Sequence, residues 1–331
     1  MAKPLVCVVG TGGTIASKYD AKLGGHVSAA TAEDLVAGVP GIGEVAELRV
    51  VEHSNVNSAV MDSPTAFALA ATLGKALADE AVHGAVVTHG TATLEETAYL
   101  MDLTVATDKP IVFTGAQRNF DEPDPDGPRN ILHAVKIAAS PEARGRGVMV
   151  ALAGAIFPAW DVTKTHTEDT SCFGGRDGGP IGMVSKRAVT FFARPDLRIQ
   201  LDAQRIEENV QLIRMPQGGN DLLLRACISA RVAGIVVEAS AGGNVTVPFY
   251  EAICDALAAG IPVVVATRVA SGPTHFGKAY RGSLASLTAK GAIAAGYLSG
   301  LKARILLMVA LGVTKDRKQL ADIFARAGGI P

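Results

Sequence analysis

Leu5-Val6-Cys7-Val8-Val9 runs directly into Gly10-Thr11-Gly12-Gly13-Thr14-Ile15-Ala16-Ser17. A short apolar run that empties into glycine and threonine is the pattern of a buried parallel strand followed by a tight turn at its carboxyl end. The same pattern recurs where Ala85-Val86-Val87 leads into Thr88-His89-Gly90-Thr91-Ala92-Thr93-Leu94-Glu95-Glu96-Thr97. Open α/β sheets bind ligands at that edge. Two hydroxyl-bearing turns there point to nucleophilic chemistry on a small molecule, since a threonine hydroxyl attacks once a base removes its proton.

Further strands are expected at residues 110–114 and 148–153, with helices at 31–39, 64–81, 93–105 and 129–139. Thr93 and Glu96 are spaced as a capping box, and Pro64 follows Ser63 at a first-turn position. This alternation predicts an α/β fold with a doubly wound, largely parallel sheet. With 331 residues the chain exceeds one ordinary core. A charged, irregular stretch at 194–208 reads as a linker between a first domain, 1–193, and a second, 209–331. In the second, strands are expected at 234–238 and 262–267, helices at 247–259 and 303–313, and a Gly/Ser/Thr-rich surface loop at 270–289.

Charged residues make up 19% and the formal net charge is −1, which gives no reason to expect nucleic acid or an anionic membrane as partner. No apolar stretch reads as a transmembrane span or signal peptide. The four cysteines, Cys7, Cys172, Cys227 and Cys254, are scattered with no CxxC pair. Cys7, Cys227 and Cys254 read as buried reduced thiols, which fits a cytoplasmic location and no metal site.

Gly10-Thr11-Gly12-Gly13 invites a dinucleotide reading, but Ile15 stands where the fingerprint needs a small residue, and no GK[ST] follows for a phosphate loop. A nicotinamide oxidoreductase is therefore disfavoured. Asp161-Val162-Thr163-Lys164-Thr165, after the strand expected at 148–153, adds a lysine to the two threonine turns. Nucleophile, second hydroxyl and base are then all available.

The three motifs TGGTIAS, THGTATLEETAY and DVTKT together resemble the bacterial-type asparaginase/glutaminase family of amidohydrolases. The resemblance extends over nearly the whole chain, including Lys302-Ala303-Arg304. It implies a large amino-terminal α/β domain and a smaller carboxyl-terminal one. It also implies a homotetramer of intimate dimers, with a neighbour's second domain closing each site, and chemistry on a small amide without metal or organic cofactor. By this resemblance Thr14 would attack the amide carbon, Thr91 would be the second threonine and Lys164 the proton acceptor. Ser58 would bind the substrate carboxylate, and backbone groups near Gly90, Thr91 and Ala116 would hold the substrate and stabilise the oxyanion.

Three positions depart from the family. Ala92 replaces an aspartate and Ala59 a glutamine. Leu284 aligns with the acidic residue that a neighbouring subunit contributes. These positions together hold the α-ammonium of asparagine, so the expected substrate is an amide without a free α-amino group, or a related lactam or lactone. A weakly active binding protein of the same fold is the alternative. The family's lid tyrosine has Tyr19 and His26 as its nearest counterparts. With residue 92 uncharged, Glu95, Glu96, Glu168 or Asp169 are the carboxylates available to approach Lys164.

Overall fold

The computed structural model describes residues 2–20, 24–28, 30–195, 197–277 and 279–329, with the backbone alone at 18–20 and 25–28. The chain divides into two units, Met1–Asp196 and Leu197–Pro331.

The first unit opens with β1 (Leu5–Gly10), then a hairpin of β2 (Ser17–Asp20) and β3 (Gly25–Ser28). It continues through α1 (Ala32–Ala37), α2 (Ile42–Val45), β4 (Glu47–Glu52), α3 (Ser63–Ala78), β5 (Val82–Thr88), α4 (Leu94–Thr104), β6 (Ile111–Thr114) and α5 (Gly127–Ala139). Short strands complete it: β7 (Val148–Leu152), β8 (Ala155–Pro158), β9 (Val162–Lys164), β10 (Phe173–Gly175), β11 (Gly182–Val184) and β12 (Val189–Phe191). Eight strands form one sheet in the order β4-β1-β5-β6-β7-β8-β11-β12. From β4 to β7 neighbours are parallel, and from β7 to β12 antiparallel.

The apolar runs of the sheet follow from its burial on both faces. Val6, Val8, Val86 and Val112 share one cluster with Ile131, Ala134 and Val135 of α5 and with Leu35 of α1. The intervening Cys7, Val9, Val87 and Phe113 are equally buried, and α3 and α4 pack against the same strands. Parallel register sets Gly10 beside Thr88, and Thr88 beside Thr114. The carboxyl ends of β1, β5 and β6 therefore finish side by side.

The second unit runs β13 (Val210–Arg214), α6 (Leu222–Ser229), β14 (Gly234–Ala239), α7 (Val247–Ala258), β15 (Val263–Thr267), α8 (Leu284–Thr288), β16 (Ile293–Ala294), α9 (Gly300–Val313) and α10 (Arg317–Gly328). Its four strands form a parallel sheet in sequence order. Helix α9 contacts β13, β14 and β15 and is buried along most of its length.

Several expectations need correction. Thr93 does cap α4 in position, but its side chain makes no capping bond; the hydroxyl donates instead to the Ser58 carbonyl at 2.8 Å. The predicted 270–289 loop contains α8, started by Ser283, whose side chain accepts from the Ser286 N–H. Leu284 at its head is buried in the core of the second unit, against Gly243. Its side chain belongs to that core. Cys227 and Cys254 are only half-buried, whereas Cys172 is fully buried. The Asp161 segment follows the unforeseen strand β8 rather than β7.

Candidate active site

Glycine lets the three sheet-edge segments touch. Gly12 and Gly13 have φ of +95° and +93°, which L side chains rarely adopt. A Cβ on Gly13 would lie 2.2 Å from the Gly90 Cα, and one on Gly90 would lie 2.4 Å from Ser58 Oγ. Gly13, just before Thr14, thus packs backbone on backbone against Gly90, and Gly90 packs against the Ser58 side chain. Two bonds to the Thr88 carbonyl, from the Thr11 N–H (3.1 Å) and the Thr11 hydroxyl (2.8 Å), tie the first turn to the second. Thr14, half-buried, opens a short 3₁₀ turn immediately after Gly13.

Thr91 is buried and meets Lys164 directly. The Lys164 Nζ donates to Thr91 Oγ1 at 2.8 Å, and to Gln117 Oε1 at 3.1 Å. Thr91 Oγ1 in turn donates to Gln117 Oε1 at 2.7 Å. Lys164 ends β9, which pairs with β10, and its backbone N–H donates to the Glu95 carboxylate at 2.8 Å. Glu95 therefore approaches this lysine at the main chain. Asp169 binds Ser171 through both the N–H and the hydroxyl of that residue.

Asp161 anchors the segment that carries Lys164. Its buried carboxylate accepts the N–H groups of Asp177, Gly178 and Gly179 at 2.8–3.0 Å. Cys172, just before β10, donates no chemistry as a thiolate: burial pushes its thiol up to about 11, against the lowering influence of Lys164.

Ser58 is buried, and its Oγ accepts the Ala92 N–H at 3.3 Å, so its own hydrogen remains available to a ligand. Ala59 and Ala92 are exposed and offer only methyl groups. Ala116 follows β6 at the same sheet edge and is buried. Tyr19 and His26 face each other in the β2–β3 register; their side chains lie outside the described residues.

His89 holds the Gly90 peptide. Its Nδ1 lies 2.8 Å from the Gly90 carbonyl, which only accepts, so Nδ1 carries the proton. Burial drives the imidazole down to about 4, partly offset by that hydrogen bond. The sequence reading missed His89 and Gln117. For Gln117 the signal was a polar amide three residues past a third strand end, Thr114-Gly115-Ala116-Gln117.

Residues 5–197 match the family described as Asparaginase, N-terminal, and residues 209–324 the Glutaminase/Asparaginase C-terminal domain. The chain belongs to the asparaginase family. That family comprises amidohydrolases, which cleave amide C–N bonds. L-asparaginase 2 of Escherichia coli (strain K12) is 32% identical over 332 residues, spanning 98% of this chain and 93% of that protein. L-asparaginase 2 of Bacillus subtilis (strain 168) is 32% identical over 97% of this chain and 86% of its own length. The crystal structure of a probable cytoplasmic L-asparaginase from Campylobacter jejuni superposes with a TM-score of 0.85 at 31% identity, covering 97% of this chain and 99% of that one. These likenesses support the asparaginase-family fold of a large first unit and a smaller second one.

Proposed function

We propose that this asparaginase-family amidohydrolase uses Thr14, Thr91 and Lys164 to hydrolyse a small amide that carries a carboxylate and lacks a free α-amino group. The observation that carries the reading is the 2.8 Å bond between Lys164 Nζ and Thr91 Oγ1, beside the glycine contact that brings in Thr14. Thr14 Oγ adds to the amide carbon, and its proton passes to the leaving nitrogen as ammonia departs. Water then adds to the resulting ester, giving its proton to the Thr91–Lys164 pair and restoring the Thr14 hydroxyl as the acid leaves. Backbone N–H groups near Gly90, Thr91 and Ala116 face the developing oxyanion. No cofactor enters these steps.

The choice of substrate rests on what lines the site. Ser58 Oγ has a hydrogen to give a carboxylate, while Ala59 and Ala92 offer an ammonium nothing to bind. A desolvated ammonium without such partners costs several kcal/mol. The protein acts as a homotetramer in the cytoplasm under this reading; among the described residues no helix is long and apolar enough to cross a membrane.

The deciding experiment compares kcat/KM for asparagine and for succinamate, its deaminated analogue, with a small lactam and lactone alongside. Succinamate should match or exceed asparagine. A preference for asparagine of about a hundredfold or more would overturn the specificity. Thr14→Ala and Thr91→Ala should each lower turnover by about 10²-fold or more with folding unchanged. Normal rates in both would remove the threonine mechanism.

A further inference from the structure

Gln117 sits at the junction of four segments. Its Oε1 accepts from Thr91 Oγ1 at 2.7 Å and from Lys164 Nζ at 3.1 Å, and its Nε2 donates to the Thr167 carbonyl at 2.7 Å. Its own N–H lies 3.2 Å from both oxygens of Asp126, at the start of α5. The partners decide which way the amide faces: an ammonium can only donate and a carbonyl can only accept. The oxygen must therefore point at the Thr91–Lys164 pair.

We infer that Gln117 is a positioning residue for the Thr91–Lys164 pair, fixing both donors through one neutral oxygen. This rests on the reading of that pair as the proton-transfer machinery. The physical point is the neutrality. To work as a base, Lys164 must give up a proton and receive another. An amine still carries N–H groups, so an amide oxygen keeps its contact in both protonation states. A carboxylate at the same place would favour the ammonium strongly. Among the described residues no carboxylate hydrogen-bonds the Lys164 ammonium, whose partners are Thr91 and Gln117. Glu95 of α4 is engaged by the lysine's backbone N–H, Asp169 by Ser171, and Asp126 by the backbone of Gln117 and Arg118. The Cys172 thiol is held neutral by burial. Gln117 also ties the segment after β9, through Thr167, to the turn after β6.

The test uses the full-length protein with whichever amide of the panel turns over fastest, and three variants. Gln117→Met keeps side-chain length and removes the acceptor; kcat should fall about tenfold or more while KM stays within about threefold. Gln117→Glu restores an acceptor with a charge; the acidic limb of its pH–rate profile should move to higher pH by about half a unit or more. Wild-type kcat in Gln117→Met together with an unmoved limb in Gln117→Glu would overturn the inference. Should Gln117→Met melt early, the limb of Gln117→Glu decides alone. Thr91→Ala separates the two levels. If it is inactive while both Gln117 variants behave as wild type, only the role of Gln117 falls. If Thr91→Ala itself turns over normally, the underlying reading falls.

Discussion

At the scale of single residues, His89 links stability to pH. His89 is buried and neutral, its Nδ1–H given to Gly90 and its Nε2 without a partner among the described residues. The unfolded side chain protonates near 6.5, the folded one only near 4. Between those values the unfolded state binds more protons, so stability rises with pH across the window and is lost as pH falls through it. The whole effect is on the order of 3 kcal/mol. The Gly90 peptide it holds lies against Gly13 and Ser58. Denaturant melts of wild type and His89→Gln at several pH values check this. Their stability difference should change between about pH 6.5 and pH 4 by a sizeable part of that amount. Parallel curves would show that His89 is not the group responsible.

At the scale of elements, the parallel half of the first sheet was legible because strands covered on both faces have little choice but continuous apolar residues. Residues 5–9 and 85–87 announce themselves in that way. The antiparallel half was not legible: β8, β11 and β12 are three or four residues each, too short for an alternating pattern to rise above the surrounding glycines. The motifs single out Thr14, Thr91 and Lys164 as candidates. Gln117 could not be singled out in this way, since its meaning comes from Thr91 and Lys164, 26 and 47 residues away. Helix α8 shows the reverse failure, where a polar composition hid a buried head. Leu284 is 1% exposed. Leu284→Glu, which installs the acidic residue expected from the resemblance, should therefore place an unpaired carboxyl in the core. Its cost should be on the order of 3 kcal/mol, read as a drop in melting temperature or denaturant midpoint. Unchanged stability, or a gain in asparagine turnover, would mean that the side chain reaches another surface.

For the whole molecule the open quantity is assembly. The formal net charge of −1 leaves little long-range self-repulsion to oppose association. Exposed apolar side chains remain on both units, among them Met183 and Phe192 in the first and Leu222, Leu223 and Phe276 in the second. Scattered apolar residues are ordinary on any surface, so they permit an interface without locating one. The stronger argument is chemical. Ala59 and Ala92 are exposed within a single chain, yet acyl transfer gains most from electrostatic groups acting in a water-excluded site. A second copy covering this edge would supply the exclusion, as the resemblance implies. Light scattering should accordingly give the mass of four chains at micromolar concentration, and specific activity should fall on dilution as the assembly comes apart. A monomer with full activity at every concentration would show that each chain closes its own site, and that the homotetramer is not needed for the chemistry.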